Sequence, residues 1–158
     1  MGEARSSDEL LYGEDFRPGM EFAFSSVTLT EDDMISFARQ WDPQSFHIDP
    51  AAAAESPWGG IIASGIQTIG VYQRLVVEAL WSRAAVKAGK ALTANLRRPV
   101  RPGTTLTGKV VVRTVTHRPQ RGDSIVSVAA ELVDDSGAVV LELTLDGVLL
   151  LRGGPGPS

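Results

Sequence analysis

The chain has 158 residues, the size of one domain, with 43% hydrophobic and 22% charged residues, a net charge of -4 and a pI near 5.1. It has no cysteine, which excludes disulfides and thiolate-ligated zinc or iron–sulfur centres, and no basic run of the kind that binds nucleic acid. No apolar run reaches about 18 residues and the acidic N-terminus lacks an apolar signal core, so a soluble, cytoplasmic protein with no membrane or nucleic-acid partner is expected.

Residues 1–14 are polar and acidic and read as a flexible N-terminal segment, ahead of one domain over 15–152 and a Gly/Pro-rich flexible tail over 153–158. "FAFSSVTLT" (22–30) mixes aromatic, β-branched and hydroxyl residues and predicts a strand. Thr30 then introduces "EDDMISFARQW", with three acids in the first turn and Met34, Phe37, Ala38 and Trp41 at helical spacing, an amphipathic helix with a start signal. "WDPQSFHIDP" (41–50) follows as a loop between two prolines, and "DPAAAAE" (49–55) predicts a short helix with Asp49 as N-cap and Pro50 at its first position. From about Gly65 to Val86 the chain lacks proline and is apolar on most faces, which predicts a long buried helix.

The last third changes period. "ALTANLRRPV", "TTLTGKVVVRTVTHR", "DSIVSVAAELV" and "AVVLELTLDGVLLLR" read as strands separated by "RPG", "PQRGD" and "DDSG". Val126, Val128, Ala130 and Leu132 alternate with polar neighbours, as do Leu141, Leu143, Leu145 and Leu149. An α+β architecture, with an antiparallel sheet rolled around one buried helix, satisfies both halves of the pattern.

Two readings of the 41–50 loop stand side by side. In one, Asp42 starts a turn, Asp49 caps a helix, and His47 is a partly buried histidine with one satisfied hydrogen bond. In the other, Asp42 and His47 are an acid–base pair, because a carboxylate can hold a water or an imidazole while the imidazole takes or gives its proton. "GGIIASG" (59–65) supports the second, carrying a flexible Gly-rich segment into the helix N-terminus, where backbone N–H groups are free and partly positive. A carbonyl placed there would have its oxyanion stabilised by the N–H of Gly65 or a neighbour such as Ile66, a donor worth about 3–4 kcal/mol. The plainer account of that segment is a turn with Ser64 as N-cap.

With these residues in view, the chain resembles the MaoC-like acyl-CoA dehydratases, the (R)-specific enoyl-CoA hydratase group of the hotdog fold. That family carries Asp-x-Asn-Pro-x-His, an Ala-rich helix and a glycine at the start of the central helix. Here Asp42 and His47 keep the spacing, "IDPAAAAES" follows, and Gly65 falls where the glycine is expected. "DPQSFH" is similar to the branch that reads Asp-Pro-Gln-Pro-Phe-His, and "RRPVRPGTTLTGKVVV" to the strand–turn–strand after the helix. The chain departs from the pattern at Gln44 and Ser45, which replace Asn-Pro, at Gln73, eight positions after the helix glycine, and at Thr104 in the turn. The resemblance implies a hotdog homodimer, or a dimer of dimers, that takes an acyl-CoA thioester. It makes Asp42 and His47 catalytic, assigns Gly65, Ser64, Ile66 and Gln73 to the carbonyl and acyl chain, and needs no cofactor beyond the CoA of the substrate. A thioesterase and a non-catalytic acyl-CoA-binding module are the alternatives.

Other signals weigh less. Arg97, Arg98 and Arg101 are candidates for CoA phosphates or simply sheet-edge charges. "RGD" (121–123) reads as a hairpin loop, Trp58 and Trp81 as packing residues, and no metal site is expected with His117 far from His47 and Asp49.

Overall fold

The computed structural model describes residues 9–154. One antiparallel sheet has the strand order β1-β4-β5-β6-β3, formed by β1 (Glu21–Ala23), β4 (Thr105–Arg118), β5 (Asp123–Val133), β6 (Val139–Leu150) and β3 (Val86–Leu96). A two-residue β2 (Val27–Thr28) also pairs with β4. Around and inside this sheet lie α1 (Glu31–Trp41), α2 (Ser45–Ile48), α3 (Pro50–Glu55) and the central α4 (Gly65–Ala79). Among the described residues no helix is long and apolar enough to cross a membrane.

The core forms where the two periodicities meet. Val126, Val128, Ala130 and Leu132 of β5 point inward with Leu141, Leu143 and Leu149 of β6, and Tyr72, Leu75 and Val76 of α4 pack against them. Each such side chain contributes roughly 1.5–3 kcal/mol of burial. The sheet must curl to wrap the helix, and at Gly108 it comes so close that a Cβ would collide with the backbone carbonyl of Glu131 on β5.

Three expectations are corrected. Segment 22–30 is not one strand but two short ones, because Phe24 turns into the core between them. The central helix ends at Ala79, not near Val86: a 3-10 turn over Trp81–Arg83 follows, and Val86 already pairs with Leu149 of β6. The segment expected to be flexible over 1–14 is ordered in its described part, residues 9–14. Leu11 bridges to Ala84 through Leu11 N–H to Arg83 O at 2.7 Å and Ala85 N–H to Leu11 O at 2.8 Å. Just beyond that segment, buried Asp15 accepts from Arg152 Nη1 at 2.9 Å and Nη2 at 2.6 Å, which ties the start of the domain to the end of β6. Residues 1–8 and 155–158 of the two expected flexible ends lie outside the described residues.

"RGD" is a hairpin turn, with Gly122 left-handed at φ 65°. Its aspartate is 1% exposed and meets Lys87 Nζ at 3.0 Å and Arg118 Nη2 at 2.7 Å. Burial works to raise the Asp123 carboxyl, and the two cations more than offset it, leaving the group below the ordinary carboxylate range. A depressed folded-state pKa contributes stability above the unfolded value, about 3.9, and loses it as pH falls through the folded value. Asp123→Asn should therefore flatten the acid loss of stability between about pH 5 and 2, read from urea midpoints at successive pH. Parallel acid profiles for the two proteins would contradict this.

Candidate active site

Helix α1 starts on a capping box, Asp33 N–H to Thr30 Oγ1 at 3.1 Å and Thr30 N–H to Asp33 Oδ2 at 3.0 Å. It ends at Asp42, the C-cap, because Pro43 disfavours a helical conformation in the residue before it. The expected loop contains a further helical turn, α2, that carries His47 back toward Asp42. Asp49 then caps α3 through Ala51 N–H at 3.0 Å and Ala52 N–H at 3.2 Å, with Pro50 at its first position as expected.

His47 is 4% exposed and its Nδ1 lies 2.7 Å from the Ile62 carbonyl. A carbonyl only accepts, so Nδ1 carries the hydrogen and the neutral ring has its lone pair on Nε2. That Nε2 lies 3.5 Å from Asp42 Oδ2. Both carboxylate oxygens of Asp42 are engaged: Oδ2 accepts from Ser64 Oγ at 2.7 Å and Oδ1 from Gln44 Nε2 at 2.9 Å. The Ser64 hydroxyl, then the Gln44 amide, hold the Asp42 carboxyl below its usual range, with a smaller contribution from His47.

Ser64 is the N-cap of α4 and accepts from Ile66 N–H at 3.2 Å. Gly65 is the first residue of that helix, and among the described residues its N–H has no acceptor. A Cβ there would meet the end of the exposed Leu96 side chain, which would have to turn aside. Asp42, His47, Ser64 and Gly65 thus meet in one cluster built entirely from residues 42–65. The cluster can hold a water between a carboxylate and an imidazole lone pair, next to a helix N–H free to receive an oxyanion.

Other expected site residues lie elsewhere or are engaged. Ile66 is exposed and its N–H is taken by Ser64. Gln73 sits about 12 Å further along α4, on a cavity of about 220 Å³ lined also by Val77, Trp81, Val86, Leu145 and Gly147. Arg97 pairs with Glu142 at 2.7 Å and Arg101 donates to the Trp58 carbonyl at 2.6 Å. The Arg98 guanidinium has no hydrogen bond among the described residues and lies near Asp134. Trp41, expected on the apolar face of α1, is 66% exposed, and Trp58 is 39% exposed beside Phe46. Sequence reasoning noted Gln44 only as a departure; its contact with Asp42 needed the fold to be seen. The Ile62 carbonyl and Leu96 carried no sequence signal.

A family model described as "MaoC like domain" matches residues 15–133. The uncharacterized protein YdeM of Bacillus subtilis (strain 168) is 31% identical over 111 residues, 70% of this chain and 77% of that protein. Among solved structures, the MaoC-like dehydratase from Rhodospirillum rubrum is 29% identical, with TM-score 0.81 over 90% of this chain and 98% of its own. The R-hydratase PhaJ1 from Pseudomonas aeruginosa shares the fold at 20% identity, with TM-score 0.72 over 89% of this chain and 85% of its own.

Proposed function

Because this chain belongs to the MaoC-like family of hydratases and dehydratases, we propose that it adds water across the 2,3 double bond of an enoyl-CoA, and catalyses the reverse dehydration. The observation that carries the reading is the approach of Asp42 and His47 beside the Gly65 N–H, which has no acceptor among the described residues.

The thioester carbonyl accepts from Gly65 N–H at the positive end of α4, which makes C3 electrophilic. A water donates one hydrogen to Asp42, held charged by Ser64 and Gln44, and turns its other hydrogen toward the His47 Nε2 lone pair. As the water oxygen bonds to C3, His47 takes that proton and the π electrons move onto the carbonyl oxygen. The resulting enolate collapses as C2 takes the proton from the His47 imidazolium, which the Asp42 charge stabilises meanwhile. The product is the 3-hydroxyacyl thioester; water has been added and nothing oxidised. No metal or organic cofactor enters these steps, and CoA leaves with the product.

The acyl chain runs from Gly65 along α4 toward the cavity at Gln73. Arg98, whose guanidinium makes no hydrogen bond among the described residues, is the arginine suited to the CoA phosphates. A second copy covers the open edge of β3, where Val86, Leu92 and Leu96 are exposed together with Ile66 and Val77 of α4.

The test follows enoyl-thioester absorbance with crotonyl-CoA and a longer trans-2-enoyl-CoA. Loss of the double bond without free thiol is the expected result. Thiol release would replace the reading with a thioesterase, and saturable binding with neither reaction would replace it with a binding module.

A further inference from the structure

We propose that Ser64 is a positioning residue that fixes Asp42 relative to the Gly65 amide, and that its hydroxyl never serves the substrate. The inference rests on the Asp42–His47 reading above and assigns the device that keeps its two halves in register.

A serine hydroxyl has one hydrogen to give. Ser64 Oγ lies 2.7 Å from Asp42 Oδ2 and 3.2 Å from the nitrogen of Ile66. The amide can only donate and a carboxylate only accepts, so Oγ receives from Ile66 and spends its hydrogen on Asp42. The side chain is fully buried, so no solvent competes for that hydrogen. A carbonyl arriving at the helix start finds the Gly65 N–H and not the Ser64 O–H.

Position in the chain gives the contact its consequence. Ser64 immediately precedes Gly65, with φ -55° and ψ 138°, so its backbone aims the Gly65 N–H while its side chain holds Asp42. Asp42 itself ends α1, and Gln67 Nε2 adds a second tie from α4 to the Asp33 carbonyl of α1 at 3.3 Å. An enoyl thioester is conjugated from C3 to the carbonyl oxygen, so in each of its two planar conformers those two atoms stand at a set separation. The groups that serve them must match it. One side chain sets that match, and loosening it costs rate in the transition state rather than affinity for CoA.

The groups that act on Asp42 come from every element around it: Ser64 of α4, Gln44 between α1 and α2, and His47 of α2. Of these the Ser64 hydroxyl depresses its titration most. Without it the carboxyl must titrate at higher pH, and the acid limb of the rate profile must move with it.

A role confined to helix capping is separable. Glycine at an N-cap keeps most of the helix stability that serine gives, whereas alanine loses more. Ser64→Gly therefore keeps most of the helix stability while deleting the hydroxyl and both its hydrogen bonds, and Ser64→Thr keeps both. The full chain, labelled with 13C at aspartate carboxyls, is titrated by NMR as wild type and as the two variants, beside kcat and KM for crotonyl-CoA against pH. In Ser64→Gly the Asp42 midpoint and the acid limb are expected to rise. At neutral pH kcat falls about tenfold to a hundredfold, the loss of one hydrogen bond to a charged group, with KM within about threefold. Ser64→Thr is expected to titrate and turn over as wild type. An unmoved Asp42 midpoint in Ser64→Gly, or a shifted one in Ser64→Thr, overturns the proposal. The titration needs no turnover, so a wild type that leaves crotonyl-CoA intact sinks the hydratase reading while the Ser64–Asp42 link is judged on its own.

Discussion

Hydration of crotonyl-CoA is expected to fall about 10²–10⁴-fold in His47→Ala, the usual contribution of one general acid–base group. The imidazole is required twice in the proposed sequence, once to accept the proton of water and once to return it to C2, so no other group within the cluster substitutes for it. Asp42→Asn is expected to lose activity on the same scale for a different reason. The amide occupies the same space, but it sets an NH2 against either the Ser64 hydroxyl or the Gln44 amide, both of which now donate to the carboxylate. It also removes the charge that faces Nε2 from 3.5 Å. KM should move little in either variant, since neither side chain holds CoA. A variant that stays folded by circular dichroism and keeps a tenth of the wild-type rate would remove that residue from the chemistry.

Leu75→Ala is expected to destabilise the chain by about 2–5 kcal/mol, the range for removing a buried leucine and leaving its cavity. Leu75 has no exposed surface and lies against the β5 and β6 leucines and valines. For a chain of this size the melting temperature should drop by roughly 5–20 °C. Arg74→Ala, one residue before it, is expected to stay within about 0.5 kcal/mol of wild type, because the Arg74 side chain is 69% exposed and pairs only at the surface with Glu78. Equal losses at the two positions would mean that α4 is rotated from the orientation described here.

That contrast marks where the sequence could be read and where it could not. The start of α1 at Thr30, the cap at Asp49 and the alternation of β5 obey local rules, and the structure bears them out, whereas β6 buries Gly147, Val148 and Leu149 in succession and leaves Leu145 half-buried. Residues 80–90, "LWSRAAVKAGK", carry alanines and lysines that suit a helix, and their conformation is decided by a partner more than fifty residues away on β6. Val77 lies exposed for a related reason: an apolar helix does not say which of its faces its own chain leaves uncovered. At 41–50 the two sequence readings turn out to describe the same atoms. Asp42 does end a helix and His47 does have one satisfied hydrogen bond, yet the other ring nitrogen is left facing the carboxylate. Gln44 was visible only as an unusual letter, since its amide finds Asp42 through the turn of α2, a geometry that the sequence does not spell out.

The cluster draws on residues 42–65 alone, whereas the sheet that holds it is stitched from strands on both sides of that stretch. The proposed chemistry and the strands of the sheet therefore lie on separate parts of the sequence, although Ala53, Ile61 and Ala63 of the short stretch also join the core. Drift confined to the short stretch can silence or redirect catalysis in a duplicate copy while the product still folds. A descendant that has lost the carboxylate or the imidazole would then persist as a well-formed scaffold, available for binding an acyl thioester or for pairing with an active sister chain.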